Sequence, residues 1–91
     1  MTSASPLSLS VVVDTYNYGR FIRDAIQSVL AQKNVEPLEI LVVDDGSTDQ
    51  TETIVSEFKP RVNYFRKMNG GQASSLNLGI EKAQGDVISF L

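Results

Sequence analysis

Asp44 and Asp45 stand side by side and are followed at once by Gly46 and Ser47. Adjacent carboxylates repel, so they must be solvated or used. They can accept from nucleobase N–H groups and ribose hydroxyls, or ligate a hard cation such as Mg2+ or Mn2+ through oxygen. Local structure could ask for the same residues, because Asp-Gly is a turn pair and an acid ahead of a helix gains from its dipole. A second cluster, Asp14-Thr15-Tyr16-Asn17, offers an aromatic face for stacking a flat ring, with Thr15 and Asn17 as hydrogen-bonding neighbours to base or ribose. Read plainly, Tyr16 and Tyr18 are half-buried loop aromatics and Asn17 shapes a turn. A third, Asn69-Gly70-Gly71-Gln72, combines glycines that let a ligand approach the backbone with N–H groups at a helix start that favour an anion such as a diphosphate. Asn-Gly-Gly is equally an ordinary turn. Asn77 adds a polar side chain that faces either the site or solvent.

Composition removes several chemistries. The 91 residues contain no Cys and no His, which excludes thiolate nucleophiles, zinc fingers and imidazole bases. Any metal must take oxygen ligands. Lys and Arg total 8 against 11 Asp and Glu, a net charge of -3, and never gather into a run that could follow a duplex phosphate backbone. No apolar stretch approaches the roughly 20 residues of a membrane span, and Met1 to Ser10 lacks the basic start of a secretory signal. A cytoplasmic protein is expected, with attachment at the inner face of a membrane through segments outside this chain left open.

The three clusters need elements to hold them. Residues 1–7 read as a flexible leader. Leu7, Leu9 and Val11 to Val13 form a strand buried on both faces, ending near Asp14. Ile22, Ala25, Ile26, Val29 and Leu30 form one helical stripe reaching about Gln32, and Asn34 to Pro37 breaks it. Leu38 to Val43 is a second strand. Asp49 and Glu52 have capping-box spacing, with Ile54, Val55 and Phe58 as the apolar face of a helix that Pro60 closes. Val62 to Phe65 is a third strand. Ala73, Leu76, Ile80 and Ala83 trace a third helix ending at Gly85, with Gly79 costing about 1 kcal/mol inside it. Val87 to Leu91 is a fourth strand. Strand and helix in strict alternation predict an α/β fold with a mainly parallel sheet of about four strands, whose ligands sit beyond the strands' carboxyl ends. All three clusters fall at that edge. The stop at a strand tip suggests a fragment.

Val11-Val12-Val13-Asp14-Thr15-Tyr16-Asn17, Ser28 to Gln32, Glu39 to Asp49 with its Asp44-Asp45-Gly46-Ser47 core, and Asn69-Gly70-Gly71 through Ala73 to Asn77 and Gly79 resemble the amino-terminal, nucleotide-binding half of family 2 glycosyltransferases. The resemblance runs from Leu9 onward. It implies a truncated GT-A half, a Rossmann-like three-layer α/β/α arrangement, over residues 8–91. It also implies inverting transfer of a hexose from a nucleotide-diphosphate sugar, UDP in the first instance, to a saccharide, lipid or protein acceptor, in cell wall or polysaccharide synthesis. Carried onto matching positions, Thr15, Tyr16 and Asn17 border the base, Asp45 accepts from base or ribose with Asp44 beside it, and Gly71 and Gln72 line the donor cleft. The divalent metal, Mg2+ or Mn2+, is expected on an Asp-x-Asp after Leu91, with the catalytic base later still, so no catalytic or metal residue is expected within these 91 and the chain alone is expected to be inactive. Asp14 departs from the family's usual uncharged residue.

Three other readings compete. A phosphorelay receiver-like domain would use Ile40 to Asp45 as its first strand but needs an acceptor Asp at a later strand tip, and Asp86 begins a strand. A dinucleotide-binding dehydrogenase lacks its Gly-x-Gly-x-x-Gly. A non-catalytic nucleotide- or sugar-binding α/β module stays open. The fourth strand, apolar and without Lys or Pro as an edge guard, predicts a homo-oligomer or edge-paired fragment.

Overall fold

The computed structural model describes residues 8–32 and 39–91. The expected leader, 1–7, and the break at Asn34 to Pro37 lie outside them. The elements alternate as expected: β1 (Leu9–Thr15), α1 (Gly19–Leu30), β2 (Glu39–Asp44), α2 (Thr51–Ser56), β3 (Asn63–Arg66), α3 (Gln72–Lys82) and β4 (Val87–Phe90). All four strands run parallel in one sheet of order β3-β2-β1-β4. Val13 lies opposite Val42, Val42 opposite Tyr64, and Val12 opposite Phe90. The chain builds outward from β1 to β3 and then crosses to the other side of β1, which puts the crevice of the strand order beside the tip of β1.

The β-branched runs of β1 and β2 are buried on both faces because helices cover both. Val11, Val13, Ile40 and Val42 pack with Ile22, Ile26 and Val29 of α1 and Ile54 and Val55 of α2. On the opposite face Val12, Leu41 and Val43 pack under Leu78 and Ala83, with Phe65 and Ile88 alongside. Each fully buried Val, Ile or Leu contributes on the order of 1.5–3 kcal/mol.

Three local expectations are corrected. Gln50, one residue later than expected, is the N-cap of α2 and no side chain caps it; Asp49 instead accepts from Thr51 N–H at 3.0 Å. That helix ends at Ser56, well before Pro60, because Glu57, Phe58 and Lys59 N–H donate to carbonyls three residues back, which tightens the last turn. Of the expected α3 stripe Ala73, Leu76, Ile80 and Ala83, only Ala83 packs on the sheet. Ile80 is exposed, while Ser75 and Gly79 are buried and Leu78 and Ala83 are half-buried against the sheet. A Cβ on Gly79 would lie 2.6 Å from Val12 Cγ1, so the glycine that weakens α3 as a helix lets it lie close on β1.

Candidate functional site

The tips of β1, β2 and β3 turn into three loops that Asp44 to Asp49 bind together. Asp44, the last residue of β2, is fully buried (0% exposed). One of its carboxylate oxygens accepts from Ser47 N–H at 2.8 Å and the other from the Tyr64 hydroxyl. Burial first, and then this bond to a carboxylate, push the Tyr64 phenol well above its usual range.

Asp45 is 6% exposed and draws in the β3–α3 loop. Its Oδ1 accepts from Lys67 Nζ at 2.5 Å and Gly70 N–H at 2.8 Å; its Oδ2 accepts from Gly71 N–H at 2.9 Å and, at 3.2 Å, from Asn69 Nδ2. The Lys67 hydrogen bond is the main reason the carboxyl is held below the usual carboxylate range, and the Gly70 and Gly71 amides overcome with it the opposing effect of burial. The anion expected at the start of α3 is therefore, in this state, the chain's own Asp45. Gly46 and Gly71 carry the positive φ angles, 84° and 95°, that these turns require. A Cβ on Gly46 would sit 2.9 Å from Asn69 N. Arg66 adds a further tie by donating to Ser47 O at 2.7 Å.

The β1–α1 loop is fastened to the same segment. Asn17, in the left-handed region at φ 53°, donates its N–H to Ser47 Oγ at 2.8 Å and accepts from Thr48 N–H through Oδ1 at 2.8 Å. Gly19 N–H donates to Asp49 Oδ2 at 2.9 Å. Bonds from the Thr51 hydroxyl first, and from Gly19, hold the Asp49 carboxyl low. Asp45 N–H donates to Thr15 O at 2.9 Å, so the β1 and β2 tips stay paired past the last strand residue.

Of the seven residues singled out for the donor, Tyr16 (47% exposed), Asn17, Gly71 and Gln72 stand at the surface of this edge. Thr15, Asp44 and Asp45 lie beneath it, and the Thr15 hydroxyl has no partner among the described residues. The repulsion between adjacent acids is resolved inside the protein, since each carboxylate has its own donors. Asn77 is exposed. Sequence reasoning gave no site role to Ser47, Asp49, Tyr64, Arg66 and Lys67, although Ser47 and Asp49 fall in the motif around Asp44-Asp45. Only the basic pair Arg66-Lys67 beside Asn69-Gly70-Gly71 offered a signal, as cations near two acids. Among the described residues no three or more acidic side chains gather where they could hold a metal ion, and Asp44 and Asp45 face internal donors.

Two openings flank the tips. One, about 650 Å3, lies between the β2–α2 and β3–α3 loops and is lined by Gly46, Arg66, Lys67, Met68 and Asn69. The other, about 350 Å3 and apolar, lies along Val13, Asp14 and Thr15 under Tyr18, Phe21 and Leu91.

The family model described as Glycosyl transferase family 2 matches residues 10–91. An uncharacterised glycosyltransferase of Rickettsia typhi is 45% identical over 96% of the chain, which spans 27% of that relative, and one from Nostoc sp. is 36% identical over 93%, again against 27% of the relative. The chain thus spans about a quarter of the length of such relatives. Among solved structures, S. aureus TarS in complex with UDP-GlcNAc superimposes with a TM-score of 0.79 at 33% identity, covering 93% of this chain and 26% of that one. A mannosyltransferase of Pyrobaculum calidifontis in complex with GDP-Man and Mn2+ gives 0.76 at 27%, covering 92% and 26%. Glucosyl-3-phosphoglycerate synthase of Mycobacterium tuberculosis gives 0.81 at 22%, covering 93% and 33%, a likeness of fold. Four parallel strands in this order, helices on both faces and three laced loops at the strand tips are the corresponding part of a GT-A fold, and the chain belongs to glycosyl transferase family 2.

Proposed function

We propose that residues 8–91 are the amino-terminal, donor-binding part of a glycosyltransferase that takes a nucleotide-diphosphate sugar, with UDP or dTDP as the nucleotide. The observation that supports this most is the convergence of loops from three different strand tips on the segment Asp45 to Asp49, where Asp45 binds the β3–α3 loop and Ser47 and Asp49 bind the β1–α1 loop. In this reading Tyr16 stacks on the base, Asn17 and Gln72 offer hydrogen bonds at the rim, Gly71 lets the ligand approach the backbone, and Asp45 accepts from base or ribose. Thr15 and Asp44 act from beneath as the floor.

The transfer is inverting: an acceptor hydroxyl attacks the anomeric carbon opposite the diphosphate, its proton goes to a base, and the nucleoside diphosphate leaves. The base, the divalent metal's ligands and the saccharide, lipid or protein acceptor's contacts are assigned to segments outside these 91 residues, so the chain alone gives no turnover. Mn2+ in the mannosyltransferase complex supports the metal for the longer relatives. No helix among the described residues is long and apolar enough to cross a membrane. A cytoplasmic, hexose-transferring role in envelope or polysaccharide synthesis fits this reading.

The chain by itself pairs with a second copy through β4. Val87 and Leu91 N–H donate to Ser8 and Val12 carbonyls, so Ile88 and Phe90 turn their backbone groups to the open side. Residues 87–91 carry no charged side chain to oppose a two-fold pairing.

The four donors on Asp45 favour a second reading, in which the lacing is purely structural and the chain is a non-catalytic module. Calorimetric titration with UDP separates the two. Saturable heat that falls away in the folded Asp45→Asn variant is expected; no heat up to millimolar UDP would overturn the donor reading.

A further inference from the structure

Both carboxylate oxygens of Asp45 are occupied, Oδ1 by Lys67 and Gly70, Oδ2 by Gly71 and Asn69, which uses the four acceptor positions a carboxylate has. With its side chain 8% exposed and that of Lys67 15%, the acid that would read a donor base is covered by a lysine of the same chain. A ligand N–H reaches Asp45 only by replacing one of these donors. The Gly70 and Gly71 amides belong to the turn that starts α3, where Ser75 N–H donates to Gly71 O, and they cannot leave singly. Asn69 Nδ2 also donates to Asp45 O at 3.0 Å, so its amide is pinned to the main chain beside the carboxylate. Lys67 alone sits on a long flexible stem whose ammonium can move without the backbone, and its other bond, to Met68 O at 2.7 Å, is to the surface. It also borders the larger opening into which it would swing.

Resting on the donor reading above, we propose that Lys67 is a latch: a positioning residue that competes with the donor base for Asp45 and must release Oδ1 before the base is bound. The apparent affinity for the base is then reduced by the fraction of molecules in which the latch is closed. Holding the latch closed also keeps Asp45 ionised and the β3–α3 loop in place while the site is empty. The other cation lining this opening, Arg66, donates to Ser47 O rather than to Asp45.

Uridine is the suitable probe, since it has no phosphate to attract the freed ammonium. NMR titration of the 91-residue chain with uridine is compared for wild type, Lys67→Met and Asp45→Asn. The latch predicts that Lys67→Met binds uridine tighter by at least about fivefold, and that Asp45→Asn binds it more weakly. The Lys67 15Nζ resonance of the wild type, which needs no variant to fold, moves to the position of a solvated lysine at saturation. If Asp45→Asn weakens binding while Lys67→Met binds equally or less well, or the Nζ resonance stays in place at saturating uridine, the latch is overturned and the donor reading stands. If neither uridine nor UDP moves any resonance at residues 15–17, 45 or 71, both fall together.

Discussion

The sheet has two edges among the described residues, and they are finished in opposite ways. At β3 the flanking residues include Lys59, Pro60, Arg61 and Arg66, and the strand tip is tied inward by Tyr64 to Asp44, Arg66 to Ser47 and Lys67 to Asp45. At β4 the strand is held to β1 by backbone pairing, and Val87, Phe90 and Leu91 are 43%, 46% and 59% exposed. Charges and proline protect an edge from pairing further, while an uncharged apolar edge invites it. In the proposed reading the polar lacing marks the side on which the nucleotide is bound. The bare side is the proposed joint, and Tyr18 and Phe21 extend its apolar surface along the cleft beside Leu91.

The largest effect is expected at the laced edge. Asp45→Ala removes the acceptor of a lysine, two glycine amides and an asparagine at once. Its thermal midpoint should fall further than that of any other single change proposed for the two edges, as followed by circular dichroism. Asp44→Ala strands the Ser47 amide and Tyr64 hydroxyl in a buried place and should cost about 1–3 kcal/mol in chemical denaturation.

Acid should attack the same edge selectively. Asp45 and Asp49 have folded-state pKa values below the ordinary 3.8, so their stabilisation is present above the unfolded pKa and is lost as pH falls through the folded values. Hydrogen exchange of Gly70, Gly71 and Gly19, taken relative to the intrinsic rate at each pH, should therefore rise below about pH 4, ahead of the core amides of β1 and β2. Equal acceleration in all of them would remove the distinction between the laced loops and the core.

Gly79→Ala tests how closely α3 lies on the sheet. Alanine gains up to about 1 kcal/mol as a helix former, but its Cβ meets Val12 Cγ1 at 2.6 Å, and overpacking costs typically about 1–3 kcal/mol. A net loss of about 1 kcal/mol is expected, and Val12→Ala should reverse its sign. At the bare edge, Phe90→Lys should change monomer stability by no more than about 0.5 kcal/mol and yet shift the chain from dimer to monomer in analytical ultracentrifugation. A wild-type monomer at high micromolar concentration would remove the β4 joint from the comparison.

The alternation of elements and the sheet type were legible because the β-branched runs of β1 and β2 and the stripe Ile22, Ile26, Val29 have periods that only one element type can bury. The stripe of α3 was not. Its most buried positions are Ser75 and Gly79, small residues that allow closeness, so hydropathy pointed to Ile80 instead. Asp44, Asp45, Gly71, Tyr16 and Asn17 could be placed together at the strand-tip edge from their types and their positions at strand ends. What they bond to could not, because Lys67, Tyr64 and Asp49 act across 22, 20 and 30 residues of sequence, and side-chain partners at such separations leave no periodic trace. The capping-box spacing of Asp49 and Glu52 misled for a related reason: Asp49 is used to bring in Gly19 from the first loop.

The claim that the laced strand tips bind a nucleotide donor is tested most directly by a residue-resolved amide NMR titration of the 91-residue chain with UDP. Saturable shifts are expected at Tyr16, Asn17, Asp45, Gly71 and Gln72, with the α1 residues Ile26 to Leu30 unmoved. Shifts confined to α1, α2 or β4, or no shifts up to millimolar UDP, would contradict it.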